Sequence, residues 1–227
     1  MLDMDGTIVA FRYEADKVKA DVRAAVGAAG LPPSLIDLHA PISHSVARVH
    51  AHLSAPTDRP LLATLEHQVE GIIQRYELKA ASSTHLTRGA VETLQWLSER
   101  QVPTALLTNT SRTSLQVLFS RFPIGPYFDP VVCRGETASL KPHPAGLQRI
   151  LAAWQLAPSE VAFVGDSTID VECAHAAGVL PIGVTCGLRS GAELEAAGAQ
   201  HLLPDLGELP QLLRTLGLPA APAQGNR

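Results

Sequence analysis

The sequence predicts an α/β protein with a doubly wound parallel sheet, into which an all-helical segment is inserted. From about residue 86 onward, short apolar runs alternate with helical patterns, which is typical of βαβ units and a parallel sheet. Residues 14–85 carry helical patterns and no convincing strand. The right-handed crossover of βαβ units then favours an open, doubly wound sheet.

The strands are predicted from short, continuous apolar runs. The first carries Asp3 and ends in a turn at Asp5 and Gly6, and the later runs span residues 103–108, 131–133, 161–165 and 180–184. Apolar residues at helical spacing separate them, as in the sets Val91, Leu94, Leu97 and Leu147, Ile150, Leu151, Trp154. Each strand is therefore expected to be followed by a helix that packs on the sheet.

The inserted segment is predicted to hold three helices. Valines at positions 18, 22 and 26 form one stripe, apolar residues from Leu61 to Tyr76 form a second, and a weaker pattern covers residues 42–53. We therefore predict a core of residues 1–13 and 86–216 and a helical insertion of residues 14–85. Residues 217–227 are rich in Pro, Ala and Gly, and we expect a flexible tail there.

Composition and charge exclude several classes of function. The 227 residues include 18 Lys and Arg against 22 Asp and Glu, a net charge of −4, which argues against nucleic acid or a membrane as partner. No apolar run approaches the ~18 residues of a membrane span, and the start shows no signal peptide. The three cysteines fit neither a disulfide framework nor a zinc site, so we expect a cytoplasmic protein with reduced thiols. We expect a monomer or a homodimer.

The first motif is an acidic pair at the end of the first strand. Asp3 and Asp5 are two residues apart, so on a strand both carboxylates share one face. Such a pair can hold a hard cation and divide the roles of nucleophile and general acid/base. Asp-Gly is also a common turn, so the pair alone leaves a hairpin open as an alternative.

Three further motifs follow later in the chain. Thr108 and Asn109 follow an apolar run at the edge where open α/β sheets bind ligands. Lys141 stands in a loop stiffened by two prolines, and Asp166 follows the run at 161–165. Asp170 comes four residues later, where an acidic residue also suits the start of a helix. All of these positions fall near carboxyl ends of predicted parallel strands.

In this order and spacing, the four motifs resemble those of the haloacid dehalogenase-like (HAD) hydrolase superfamily, above all its phosphoglycolate phosphatase-like branch. The resemblance runs from Leu2 to about Leu213 and is weakest across the helical insertion. It implies a Rossmann-like core and a helical cap at residues 14–85. It also implies a Mg²⁺-dependent phosphatase that hydrolyses a small phosphorylated metabolite, with phosphoglycolate as the first guess, through an aspartyl-phosphate.

The resemblance implies a role for each motif residue. Asp3 matches the nucleophile, and Asp5 matches the acid/base that protonates the leaving oxygen and then deprotonates water. Thr108 and Lys141 match groups that bind the transferring phosphoryl oxygens, and Asn109 is predicted to bind phosphate beside them.

The same resemblance supplies the metal site. The predicted Mg²⁺ ligands are Asp3, Asp5 through its main-chain carbonyl, Asp166 and Asp170, the last orienting a metal-bound water or the lysine. In the cap, His44 and Arg48 are predicted substrate contacts, and Arg12, after the first motif, is another.

Two other functions stay open. A phosphomutase of the beta-phosphoglucomutase type shares the core residues but needs cap groups that hold a sugar bisphosphate. A non-catalytic HAD-like binding protein would be expected to have lost at least one motif residue, and all are present. Relatives usually continue the first motif with Asp-Ser, where Ala10 and Phe11 stand here. Because few residues precede Asp3, we expect that the natural chain begins a few apolar residues upstream.

Overall fold

In a computed structural model, the chain forms two compact units. Unit 1 comprises Met1–Phe11 and Thr84–Arg227, and unit 2 comprises Arg12–Ser83. The structure describes residues 1–10, 14–40, 42–137 and 139–217. The predicted substrate contact Arg12 and the predicted tail beyond residue 217 lie outside the described residues.

The described residues of unit 2, 14–40 and 42–83, contain helices and no strand. Its helices are α1 (Ala15–Ala28), α2 (Ile42–His52) and α3 (Arg59–Ser83). The three valines of the predicted stripe are fully buried on one face of α1, and they pack in a cluster with Leu65 and Ile73 of α3. Burial of each such side chain contributes roughly 1.5–3 kcal/mol, so this face is what holds α1 in place.

Unit 1 is built on a parallel sheet. Its strands are β1 (Leu106–Ser111), β2 (Val131–Arg134), β3 (Ala162–Gly165), β4 (Leu180–Val184) and β5 (His201–Leu203). The parallel pairs are β1 with β2, β3 with β4, and β4 with β5. Leu2 forms parallel bridges to Leu106 and to Val164, so the N-terminal segment lies between β1 and β3 and joins the two groups of strands.

Helices alternate with these strands along unit 1. They are α4 (Ala90–Glu99), α5 (Arg112–Arg121), α6 (Ala145–Trp154), α7 (Thr168–Ala177), α8 (Gly191–Ala196) and α9 (Leu209–Thr215). The cluster beneath the sheet includes Leu147 and Ile150 of α6 and Phe163 of β3. The predicted α/β class with a parallel sheet is confirmed. None of the helices in the described residues is both long enough and apolar enough to cross a membrane.

Two strand predictions need correction. β1 begins at Leu106 and continues to Ser111, because Ser111 pairs with Arg134 after an irregularity in the ladder. The predicted range 103–108 followed the apolar run, so Thr108 was placed at a strand end that in fact lies three residues further on. β5 was not predicted, because it is a short edge strand defined by its pairing with β4 rather than by an apolar pattern.

Candidate active site

Asp3 lies at the carboxyl edge of the sheet, in its central segment. Leu2 N donates to Ala105 O (2.9 Å) and Leu107 N donates to Leu2 O (3.0 Å) on one side. On the other side, Asp3 N donates to Val164 O (2.9 Å). This pairing on both sides fixes the backbone of Asp3, and the residue as a whole is only 4% exposed.

Lys141 joins two carboxylates from different parts of the fold. Its Nζ donates to Asp3 Oδ1 at 2.5 Å and to Asp170 Oδ1 at 2.7 Å. Burial by itself lowers the pKa of Lys141, but Asp170 and Asp3 raise it more, so the net pKa lies above its ordinary value. Lys141 is therefore a buried, permanently charged ammonium, which is the group that can offset charge on phosphoryl oxygens.

Asn109 holds the main chain of Lys141 with two hydrogen bonds. Lys141 N donates to Asn109 Oδ1 (3.0 Å), and Asn109 Nδ2 donates to Lys141 O (3.1 Å). The carboxamide thereby ties the lysine loop to β1. The binding of phosphate by Asn109 stays a prediction, and the structure gives its side chain this other contact.

Asp166 and Asp170 stand on either side of the start of α7. Asp166 follows β3 directly, and Leu188 N donates to its Oδ2 at 2.6 Å. Asp170 Oδ2 accepts from Ser167 N (3.1 Å) in a capping box at the start of α7, while its Oδ1 faces Lys141. One carboxylate therefore caps α7 and contacts Lys141, while its role at a metal site stays a prediction.

Three buried carboxylates form a cluster that fits a divalent cation. Asp3, Asp166 and Asp170 each offer an oxygen within 4.8 Å of the others. Burial, and then the charge of Asp170, raise the pKa of Asp166 to about 7. Burial and the neighbouring carboxylates raise the pKa of Asp3, although Lys141 opposes this. One ammonium does not balance these carboxylates, and an all-oxygen donor set suits a hard cation such as Mg²⁺.

Two glycines allow the chain to pass close to Asp166. A Cβ at Gly6 or at Gly187 would lie closer than 3.0 Å to the Asp166 carboxylate. Gly6 also has a φ of +79°, which side-chain-bearing residues rarely adopt. The position of Asp166 therefore depends on the absence of a side chain at both glycines, a role that the sequence analysis did not assign to Gly187.

Two hydroxyls from β1 reach the carboxylate of Asp5. Thr108 Oγ1 donates to Asp5 Oδ2 at 3.3 Å, and Thr110 Oγ1 donates to the same oxygen over a shorter distance. Thr110 N also donates to Thr108 Oγ1 (3.0 Å). Sequence reasoning missed Thr110 because the strand was predicted to end at residue 108. The alternation of two hydroxyls on one strand face was the signal that could have found it.

The predicted cap contacts lie in unit 2. His44 is exposed on α2. Arg48 Nη2 donates to Ser34 O at 3.0 Å. The Arg48 side chain, together with Arg23 and His39, lines an open pocket of about 270 Å³. Contact of His44 and Arg48 with a substrate stays a prediction.

Several known proteins are similar to this chain in sequence. A family model of haloacid dehalogenase-like hydrolases matches residues 1–178. A phosphoglycolate phosphatase of Pectobacterium atrosepticum is 30% identical over 154 residues, which cover 68% of this chain and 66% of that protein. Phosphoglycolate phosphatase 1 of Pseudomonas aeruginosa is 28% identical over 218 residues, which cover 92% of this chain and 77% of that protein.

A solved structure is similar over nearly the whole fold. It is that of a haloacid dehalogenase-like family hydrolase from Streptococcus pneumoniae, with a TM-score of 0.63 and 19% identity. The match covers 93% of this chain and 96% of that one. At 19% sequence identity, this similarity shows a shared fold and nothing further.

Proposed function

The chain belongs to the haloacid dehalogenase-like hydrolases, and on this premise we propose that it is a Mg²⁺-dependent phosphatase of small phosphorylated metabolites. The observation that carries the proposal is the Lys141 ammonium held between Asp3 and Asp170, beside a third buried carboxylate, Asp166. A nucleophilic carboxylate is repelled by a phosphate dianion. A site that attacks one therefore needs fixed positive charge, and this arrangement supplies an ammonium and the ligands for a cation.

In the first step we propose that a carboxylate oxygen of Asp3 attacks phosphorus and forms the new O–P bond. The P–O bond to the leaving group breaks, and Asp5 gives its proton to the leaving oxygen. Lys141 lies 2.5 Å from Asp3 and offsets the charge of the phosphoryl oxygens beside it. Asp3, Asp166 and the main-chain carbonyl of Asp5 would hold Mg²⁺, which would supply further positive charge against those oxygens.

In the second step a water molecule attacks the same phosphorus. Asp5, now ionised, takes a proton from the water, and the O–P bond to Asp3 breaks. Inorganic phosphate leaves, and both carboxyl groups return to their starting states. The sum is one ester and one water converted to one alcohol and one phosphate. Asp170 keeps Lys141 in place throughout, because it accepts from Nζ at 2.7 Å.

Phosphoglycolate is the first substrate to test. Relatives named phosphoglycolate phosphatase align at 28–30% identity, one of them over 92% of this chain. Sugar phosphates and pyrophosphate are the next candidates. Arg48 and Arg23 line one pocket of unit 2 and have the charge to bind a substrate carboxylate or a second phosphate.

The test is a hydrolysis assay on the purified chain. Release of phosphate from p-nitrophenyl phosphate is measured with Mg²⁺, with EDTA, and with Mg²⁺ restored, and a metabolite panel is then ranked by kcat/KM. The matched control is Asp3→Asn, which keeps the shape of the side chain but cannot form the acyl phosphate. The proposal expects activity that needs both Mg²⁺ and Asp3. No hydrolysis of any ester, or equal rates in the control, would contradict it, and conversion of a sugar 1-phosphate to a 6-phosphate would favour the mutase.

A further inference from the structure

The side chain of Thr110 is a buried hydroxyl that contacts Asp5, the residue expected to transfer protons. The residue is 3% exposed, and its Oγ1 donates to Asp5 Oδ2 over a shorter distance than Thr108 Oγ1 does. Residues two apart on a strand share a face, so β1 presents both hydroxyls to the same carboxylate oxygen. The family resemblance assigned a role to Thr108 and none to Thr110.

Thr108 and Thr110 cannot both donate a hydrogen bond to Asp5 throughout the reaction. A hydroxyl has one proton to donate, and Thr108 now directs its proton to Asp5 at 3.3 Å. If Thr108 binds a phosphoryl oxygen, its proton turns away from Asp5. Thr110 then remains as the donor from β1 that keeps Oδ2 of Asp5 in place.

We infer that Thr110 is a positioning residue that holds the carboxyl group of Asp5 for proton transfer to the leaving oxygen. The inference rests on the proposed phosphatase function. Thr110 touches Asp5 and not the reacting atoms, so its effect reaches the reaction through Asp5. The proton itself passes from Asp5 to the leaving oxygen as the ester P–O bond breaks.

The local structure keeps Thr110 in this orientation. β1 continues past it to Ser111, which pairs with Arg134 of β2, and Thr110 N is held by Thr108 Oγ1 at 3.0 Å. A valine at this position has the same branched shape and suits a strand, but it has no proton to donate. Thr110→Val therefore removes the contact with the least change in packing, and Thr110→Ser restores a hydroxyl.

The leaving group distinguishes positioning of a general acid from a structural role. p-Nitrophenolate leaves without much help from an acid, whereas an alkoxide needs its proton delivered as the bond breaks. We expect Thr110→Val to lower kcat/KM for an alkyl phosphate by ~10²-fold, and for p-nitrophenyl phosphate by less than ~10-fold. Thr110→Ser should recover most of the alkyl phosphate activity. Thr93→Val is the matched control, because Thr93 Oγ1 is a buried hydroxyl that donates to Leu206 O (2.7 Å) outside the site, so its loss should change the rates for both esters by a similar factor or leave both unchanged.

The outcomes separate this inference from the proposed function. If the wild-type chain hydrolyses neither ester, the proposed function fails. If the wild-type chain is active but Thr110→Val slows both esters equally, or neither, the function stands and the inference is wrong. Should Thr110→Val fail to fold by circular dichroism, Thr110→Ala and Thr110→Ser are compared on the same two esters. Equal leaving-group dependence in those two variants overturns the inference.

Discussion

Gly187→Ala should displace the carboxylate of Asp166 without changing any chemical group of the site. The added methyl would lie closer than 3.0 Å to that carboxylate, and Gly187 is not among the residues with a left-handed backbone. Asp166 Oδ2 is also the acceptor for Leu188 N at 2.6 Å, so it has a hydrogen bond to lose when it moves. The substitution therefore tests whether the position of this one carboxylate matters.

The magnitude follows from the size of the overlap. The Asp166 side chain must move by roughly 1 Å, its Cβ included, because the added methyl would lie 2.3 Å from that Cβ and 2.2 Å from Oδ2. A displacement of that size near reacting groups can cost ~10²-fold in rate. A metal site whose supporting contacts are disturbed typically loses ~10–100-fold in affinity. We therefore expect Gly187→Ala to weaken Mg²⁺ binding ~10–100-fold and to lower kcat for p-nitrophenyl phosphate by ~10²-fold.

Substitutions at two other glycines distinguish steric overlap with Asp166 from backbone strain. Gly135 has a φ of +88° and nothing within 4 Å of a built Cβ, so Gly135→Ala carries strain alone, which is roughly 1–2 kcal/mol of stability. Gly6→Ala combines strain at a φ of +79° with overlap on Asp166. Calorimetric titration with Mg²⁺ should therefore show near-normal affinity in Gly135→Ala and weak binding in the other two variants. Normal Mg²⁺ affinity in a folded Gly187→Ala protein would show that metal binding does not depend on the position of the Asp166 carboxylate.

Three further predictions concern neighbouring residues. Asn109→Ala frees the main chain of Lys141 and should lower kcat ~10-fold or more at unchanged fold, which steady-state kinetics with a circular dichroism control checks. Asp5→Asn should abolish turnover but leave Mg²⁺ affinity near normal in calorimetry, because its predicted ligand atom is a main-chain carbonyl; an affinity loss as large as in Asp166→Ala would contradict this. With Mg²⁺ chelated, the free energy of unfolding should fall as pH rises from about 4 to about 7, because the folded state holds a proton on Asp166, whose pKa is raised from 3.8 to about 7. Asp166 contributes at most about 4 kcal/mol to this loss. Urea titrations at several pH values measure it, and a slope unchanged in Asp166→Asn would exclude this residue as its cause.

Much of the site can be predicted from the order of motifs along the sequence, because the carboxyl ends of parallel strands lie at one edge of a sheet. Asp3 and Asp166 reach that edge from strands that are neighbours in the structure, as strand-end positions imply. The buried stripe on α1 was likewise predictable, since apolar residues at helical spacing can bury one face only.

Other contacts were not predictable because they depend on tertiary pairing. The bond between the Asn109 carboxamide and the Lys141 main chain joins residues 32 apart in sequence. The role of Thr110 depends on a strand end set by pairing with β2, where hydroxyl side chains hide the strand pattern. The closeness of Gly187 to Asp166 arises from how the loop after β4 returns over β3, and no local pattern records that path.

In the proposed mechanism Asp3 carries the phosphoryl group during turnover, and covalent trapping detects this intermediate. The chain is mixed with a rapidly cleaved aryl phosphate and Mg²⁺, quenched in acid within one turnover, digested and analysed by mass spectrometry. Reduction of the acyl phosphate with borohydride then marks the modified carboxyl group. We expect a phosphoryl group on the peptide that contains Asp3, with the reduction mark at Asp3 itself and none in Asp3→Asn. A phosphoryl group on another residue, or none in a protein that is turning over, would contradict it.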